Sequence, residues 1–201
     1  MNKFINIRVF FEKRGNAKYI SHLDLYRAFQ RAIKRSGLPV WHTEGFNPHI
    51  YTTFALPLAL GVEGVNESVD LRLLEEVSLT IVKEKLNAVI PHGLNILRVA
   101  EPVKKANDIK KANYRLDFRN DGELKRLGSY LSQPEIIIIK KSKTKVKTLD
   151  IKPLLEWDDS TKTLCLPAGN ELNISPWNVL SDFEVAITRT SILCENNSLF
   201  E

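Results

Sequence analysis

The chain has few of the residues that build metal sites or disulfide scaffolds. Its two cysteines in 201 residues are Cys165 and Cys194, and neither belongs to a Cys-x-x-Cys pair or has histidines close by in the sequence. Two cysteines are also too few for a disulfide scaffold. We therefore expect neither a metal site nor a bound cofactor, and we expect a reducing, cytoplasmic location.

Long apolar runs are missing as well. No stretch approaches the roughly 18 uncharged apolar residues that a membrane-spanning helix needs, so we expect no membrane partner. The N-terminal stretch MNKFINIRVFF is interrupted by Arg8 and followed by the charged turn EKRG. This pattern predicts a first strand and not a signal peptide.

The net charge of +5 is distributed in alternating blocks. Residues 1–48 carry nine Lys/Arg against three Asp/Glu (+6), and residues 101–147 carry thirteen against six (+7). Residues 49–100 carry four against six (−2), and residues 148–201 carry three against nine (−6). The basic blocks favour an anionic partner such as nucleic acid or a phosphorylated surface, although two solvated cationic faces would explain the same pattern.

A basic amphipathic helix is predicted to begin after Ser21. The Ser21 hydroxyl offers an N-cap, with Asp24 three residues later as in an acidic capping box, and Gly37 and Pro39 end the helix. At about 100° per residue, one side of the helix is apolar: Leu25, Phe29, Ala32, Ile33 and Ser36. The opposite side is basic: Arg27, Arg31, Lys34 and Arg35. Such a stripe predicts a phosphate-binding surface, and a solvated helix back is the alternative.

His22 lies in the first turn of this helix, near its apolar side. The unpaired N–H groups at a helix N-terminus attract anions and disfavour a protonated imidazole. The position therefore suits a neutral histidine packed against the core. It suits equally a histidine that orients a ligand phosphate or base beside the helix terminus.

The segment HTEGFNPH follows the helix and is predicted to have a special backbone shape. Gly45 permits φ values that are closed to other residues. Pro48 favours an extended conformation at Asn47. The sequence therefore predicts a shaped loop that feeds the next strand.

The side chains of this loop have the chemistry of an RNA contact. Phe46 can stack on a base, Asn47 can bond to a base edge, and the two histidines can donate hydrogen bonds or transfer protons. The full set of expected nucleic-acid contacts is Arg27, Arg31, Lys34, Arg35, His22, His42, Glu44, Phe46, Asn47 and His49. One alternative is a plain turn with Phe46 buried. Another is a metal site of His42, Glu44 and His49, although their spacing matches no familiar metal motif.

The order of patterns along the chain predicts the fold. FINIRVFF is typical of a strand, and after the basic helix come two strands, a second amphipathic helix and another strand. This β-α-β-β-α-β order is ferredoxin-like. A looser version of the same order follows, so we predict an α+β protein of two tandem ferredoxin-like units, each an antiparallel sheet with its helices on one face.

A polar, lysine-rich segment, residues 102–113, is predicted to link the two units. The predicted domains are therefore residues 1–101, with the basic helix and the EGFNPH loop, and residues 114–201. Within the second domain, EIIIIKKSKTKVKTLDI predicts two strands joined by a lysine-rich connection.

Several of these motifs occur together in one known family. The chain resembles the radical-SAM-linked family in KYISHLDLYRAFQRAIKRSGLPVWHTEGFNPH, FALPLALGVEG and ESVDLRL. That family is a bacterial domain of unknown function, found C-terminal to cobalamin-binding-type radical SAM proteins or as a separate chain. The resemblance is dense from Lys18 to Leu73 and thinner afterwards. Ile50 and Tyr51 replace the family's usual proline and basic residue, which weakens a phosphate-binding role at that point.

The resemblance implies an accessory role in RNA modification or processing, with tRNA or rRNA as partner and a separately encoded radical SAM protein beside it. The chain has no Cys-x-x-x-Cys-x-x-Cys motif, so it does not itself hold the radical SAM iron–sulfur cluster. Its first half also resembles, at the level of fold, the RNA-binding domains of CRISPR repeat-processing endonucleases.

Three functions remain open from the sequence. The first is a noncatalytic RNA-binding or substrate-presenting module. The second is a metal-independent ribonuclease, in which His22 or His49 takes the 2′-hydroxyl proton while Arg27 or Arg31 stabilises the phosphorane charge. The third is a protein-docking module whose basic blocks bind an acidic partner surface without RNA.

Overall fold

The computed structural model describes residues 4–141 and 146–201. Its strands are β1 (Ile5–Lys13), β2 (Thr52–Phe54), β3 (Glu63–Leu73), β4 (Leu94–Ala100), β5 (Ile109–Phe118), β6 (Ile137–Lys141), β7 (Val146–Asp150), β8 (Glu156–Asp158), β9 (Thr163–Pro167) and β10 (Val185–Cys194). Its α-helices are α1 (His22–Ser36), α2 (Leu79–Asn87), α3 (Asp121–Leu131) and α4 (Trp177–Leu180). The prediction of an α+β protein is confirmed. Within the described residues, no helix is long and apolar enough to cross a membrane.

One large sheet runs through both halves of the chain. Its strands lie in the order β4-β1-β3-β10-β5-β9-β8, and the short β2 also pairs with β3. All of these pairs are antiparallel except β3 with β10, which is parallel. β6 and β7 form a separate hairpin, and the centre of the predicted lysine-rich connection, residues 142–145, lies outside the described residues.

The sheet joins the two halves that were predicted to have separate sheets. The first half contributes β4, β1, β3 and β2, and the second contributes β10, β5, β9 and β8. The contact is a short parallel pairing in which Glu63 faces Thr188 and Gly64 faces Arg189. β5 already begins at Ile109, inside the segment predicted as a linker. The division into two ferredoxin-like units, and its boundaries, stay predictions.

The alternation of side chains along β1 explains which face the helices cover. Ile7, Val9 and Phe11 are buried in one cluster together with Phe29 of α1 and Leu86 of α2. Successive residues of a strand point to opposite faces. α1 and α2 therefore pack on one face of the first half of the sheet, and the residues between these positions point to the other face. We call it the open face below, although Arg8 and Phe10 are buried on it and Phe200 packs against Arg8.

The loop before β3 belongs to the first half of the chain but packs in the apolar core of the second half. Leu56, Leu58 and Val62 belong to the apolar cluster of the second half. The indole Nε1 of Trp177, in α4, donates a 2.8 Å hydrogen bond to the carbonyl of Leu60. The loop therefore lies between the two halves and packs with residues far along the chain.

A buried ion pair lies at the same junction. The Arg189 guanidinium and the Glu67 carboxylate are both almost fully buried, and Arg189 Nε donates to Glu67 Oε1 over 2.9 Å. Arg189 also donates to the carbonyls of Leu56 (2.8 Å) and Pro57 (3.1 Å). Burial opposes the charge on Arg189, but the Glu67 carboxylate reverses this effect and raises the arginine pKa above its ordinary value. The pair therefore holds β3, β10 and the connecting loop together.

Candidate nucleic-acid interface

The basic helix forms where its capping residues predict. The Ser21 hydroxyl accepts a 3.1 Å hydrogen bond from the Asp24 backbone N–H. Gly37 ends the helix with φ +65°, a left-handed conformation that favours glycine. Buried residues of the helix are Leu25, Phe29, Ala32 and Ile33. The predicted apolar side is confirmed for these four residues, while Ser36 is half-buried.

The four predicted cations of α1 are exposed, and two of them have bonding partners within the described residues. Arg27 pairs with Asp24 at 3.2 Å. Arg35 donates a 2.7 Å hydrogen bond to the Val89 carbonyl, just after α2. Arg35 therefore lies on the flank of α1 that faces α2, and its guanidinium connects the two helices.

The contacts of Gln30 show which flank of α1 faces the segment after the hairpin. Its side-chain amide donates to the Ile50 carbonyl and to the Thr52 hydroxyl, each at 2.7 Å. Residues three before and four after a helical position lie on the same side of the helix. Arg27 and Lys34 therefore flank Gln30, with Arg31 beside them. We call Arg27, Arg31 and Lys34 the cationic flank.

The loop after α1 is a hairpin with an exposed tip. Tyr51 N–H donates to the Trp41 carbonyl at 3.1 Å, and Thr43 N–H donates to the His49 carbonyl at 2.8 Å. Gly45 has φ +117°, which supports the prediction of a special backbone at this glycine. Phe46 at the tip is fully exposed to solvent. The alternative in which Phe46 is buried in a plain turn is therefore wrong.

The hairpin distributes its side chains over two faces. His42 pairs with Ile50, whose side chain is buried in the core under the helices. By the alternation of extended strands, His42 lies on the helix side and His49 on the open-face side. His49 Nδ1 lies 3.0 Å from the Thr43 hydroxyl and 3.2 Å from the Asn47 carbonyl. A ligand would therefore meet His49 through Nε2.

The remaining predicted loop residues, Glu44 and Asn47, are exposed beside the tip. His22 lies elsewhere, at the start of α1, where its ring meets Phe54 edge to face with centroids 5.2 Å apart. Burial lowers the pKa of His22, and the nearby Lys13 ammonium lowers it further. Both effects favour the neutral form of the His22 imidazole, as in the first of the two expectations for this position.

The shifted pKa of His22 predicts a pH dependence of stability. The unfolded chain titrates near pH 6.5, whereas the folded chain takes up this proton only at lower pH. The histidine therefore contributes stability above about pH 6.5 that is lost as the pH falls through the folded pKa. We expect an NMR titration of the imidazole to give a value below 6.5. Phe54→Ala, which uncovers the ring, should return the value towards 6.5; a value at or above 6.5 in the unaltered chain would contradict the assignment.

The sequence of this chain matches one protein family. The match covers residues 6–176 and the family is described as uncharacterized proteins conserved in bacteria, DUF2344. The chain belongs to this family. No curated protein matches the chain. The prediction of a bacterial family of unknown function is confirmed, and its association with radical SAM enzymes stays a proposal.

The metal alternative has no support within the described residues. Across residues 4–141 and 146–201, no three His, Cys, Asp or Glu side chains come together in a group that could hold a metal ion. The proposed ligands His42 and His49 point to opposite sides of the hairpin, as the alternation requires. Their short spacing in sequence therefore does not bring their rings together.

A cluster on the open face was missed in the sequence. The Arg72 guanidinium carbon lies 4.1 Å from the ring centre of Tyr51, 5.1 Å from that of Trp41 and 5.5 Å from that of Phe4. The sequence contained one signal for this cluster: Trp41 lies five residues before Phe46, and Tyr51 lies five residues after it. In a hairpin with its tip at Phe46, these two residues face each other. The sequence around Phe4 and Arg72 contains no comparable local signal.

Proposed function

We propose that the protein is an RNA-binding or substrate-presenting accessory module, acting with a radical SAM enzyme in modification or processing of tRNA or rRNA in the bacterial cytoplasm. The observation that carries the proposal is the exposed Phe46 ring, on a hairpin that Gln30 ties to the cationic flank. An aromatic ring held in water at a loop tip suits stacking on an unpaired base.

The charges of the cationic flank support the same ligand. Arg27 has one exposed carboxylate partner, Asp24, and an exposed pair of this kind is weak. Arg31 and Lys34 form no ion pair within the described residues, although the charge of Arg31 also acts on Asp24. Cations with few competing carboxylates can neutralise successive phosphates of a nucleic-acid backbone and release the bound counterions.

The radical SAM partner rests on the family resemblance alone. The chain itself has no cysteine cluster for an iron–sulfur centre, so in this proposal the cluster belongs to the partner enzyme. The module would hold the RNA and present a nucleotide, and the partner would carry out the chemistry.

We also propose that the fold consists of two ferredoxin-like units, residues 1–101 and 114–201, joined edge to edge. In support, the first half has the strand order β4-β1-β3-β2 and the second half has β10-β5-β9-β8. With β6 and β7 treated as an inserted hairpin, the two orders are equivalent. The parallel contact between β3 and β10 would then be the interface of the units.

We expect the cationic flank and Phe46 to determine RNA affinity. In fluorescence anisotropy with labelled tRNA and rRNA fragments over a salt series, R27A/R31A/K34A should reduce the slope of log affinity against log salt by about 2, since each single-strand phosphate contact contributes about 0.7. Phe46→Ala should weaken binding by about 5- to 100-fold through lost stacking, with circular dichroism unchanged.

A matched control is available in the second half. R115A/R119A/K125A removes the same charge from exposed residues of β5, α3 and the turn between them, and should leave the affinity nearly unchanged. Equal losses of RNA affinity in both triple variants would mean that net charge, and not the cationic flank, determines the binding. If the unaltered chain binds no RNA at low salt, the proposal is wrong and protein docking becomes the better hypothesis.

RNA cleavage in the presence of EDTA would indicate the ribonuclease instead. The two histidines lie apart: His22 is exposed in the first turn of α1 with its ring against Phe54, and His49 lies on the open-face side of the hairpin. If cleavage were found, it should therefore depend on one of the two histidines and survive replacement of the other.

A further inference from the structure

Arg72 lies on the open face of the sheet, near the end of β3. Its neighbours in β3, Leu71 and Leu73, are buried under the helices, so the alternation turns Arg72 to the opposite side. The Trp41 backbone N–H donates a 2.8 Å hydrogen bond to the Arg72 carbonyl, and Tyr51 bonds to Trp41 in turn. The base of the hairpin thus continues the sheet beside Arg72.

Three aromatic rings surround the guanidinium there. The rings of Phe4 and Trp41 have centroids 4.7 Å apart, and those of Trp41 and Tyr51 are 5.8 Å apart. A guanidinium that packs against rings uses its flat faces, which leaves the N–H groups at its edge available for hydrogen bonds. The cluster therefore orients Arg72 without occupying its donors.

No hydrogen-bond acceptor within the described residues bonds to the guanidinium N–H groups of Arg72. The nearest carboxylate along β3, Asp70, is bound by Arg8 at 2.7 Å and 2.9 Å. Arg98, another arginine that packs on a ring of this sheet, has a carboxylate partner in Glu201 at 3.9 Å. Arg72 has ring contacts alone. A half-buried arginine with a rigid planar donor set and no anion beside it is prepared to bind one.

We propose that this cluster binds one nucleotide of the RNA, with Arg72 on the phosphate and Trp41 or Tyr51 stacked on the base. The inference rests on the proposed function and names a second contact surface for the same ligand. The hairpin connects the two surfaces, because its helix side meets the cationic flank through Gln30, while Trp41, Tyr51 and His49 line its other side. A single strand would pass around the tip at Phe46.

The test compares two arginines of the same sheet by anisotropy with the labelled tRNA or rRNA fragment that binds the unaltered chain. Arg72→Gln should lower the affinity by about tenfold or more, as expected for a lost charge-assisted bond to phosphate, and Arg72→Lys should restore part of it. The matched control, Arg98→Gln, removes an arginine that already has a carboxylate partner and should have little effect. Thermal unfolding of each variant checks that the fold is kept.

Photo-crosslinking locates the nucleotide independently of affinity. RNA transcribed with 4-thiouridine should crosslink to the peptides that contain Trp41 or Tyr51, and Tyr51→Leu should reduce the yield. If RNA binds but Arg72→Gln is neutral and crosslinks fall only on α1, this inference is wrong and the proposed function stands. If the unaltered chain binds no RNA, both this inference and the proposed function are wrong.

Discussion

Replacing Arg189 by methionine is expected to lower the free energy of unfolding by about 3–5 kcal/mol. The change leaves the Glu67 carboxylate buried without its partner, and it also removes the donors to the Leu56 and Pro57 carbonyls. An uncompensated buried charge is far more costly than the loss of an exposed ion pair. Urea denaturation followed by circular dichroism measures the difference.

Two further variants give this prediction its controls. Arg119→Met breaks a pair with Glu184 in which both side chains are mostly exposed, and should change stability by no more than about 1 kcal/mol. Glu67→Leu combined with Arg189→Met removes both buried charges and should destabilise less than the sum of the single changes. Additive losses would mean that the two side chains are not coupled.

Phe29→Ala is expected to cost about 3–5 kcal/mol. Phe29 is fully buried, and its ring lies 4.8 Å from that of Phe11 in β1 and 5.4 Å from that of Phe54 in β2. Removing it leaves a cavity where α1 meets the sheet and the strand that follows the hairpin. We therefore expect the variant to unfold at a lower temperature and at a lower urea concentration than the unaltered chain. Thermal and urea unfolding measure the loss.

The control for this change lies in the same helix. Leu23 is more than half exposed, so Leu23→Ala should alter stability by about 0.5 kcal/mol or less. Alanine is a better helix former than leucine or phenylalanine, so helix propensity cannot explain a loss in either variant. A similar loss in both variants would contradict the packing argument. A loss in Phe29→Ala alone supports the aromatic cluster as the element that positions α1.

The basic helix was predictable because its determinants are local. The cap at Ser21, the stop at Gly37 and the period of the apolar residues all act within a few turns of one segment. The special backbone at Gly45 was predictable for a similar reason, since glycine adopts a positive φ at little steric cost. The exposure of Phe46 was not, because burial of a loop side chain depends on what the rest of the fold brings near it.

Two placements among the predicted site residues could not be derived from residue spacing. Arg35 belongs to the basic stripe by its helical angle, but it bonds to Val89 because α2 happens to pack on that flank. His42 and His49 were grouped as loop histidines, and the pairing of the hairpin sends them to different faces. The Arg72 cluster was missed because Phe4, Trp41, Tyr51 and Arg72 come from three distant parts of the chain.

The sequence by itself determined the α+β class, the position and two sides of α1, and the membership of a bacterial family, because these depend on short-range patterns and on residue identity. Only the tertiary structure decided that one sheet spans both halves, that Glu67 and Arg189 meet across 122 positions, and that Arg72 stands among three rings. Contacts between distant segments follow from strand order and register, and a strand's own residues do not specify its neighbours. The surface on which we place the RNA is therefore a product of the fold as much as of the basic helix.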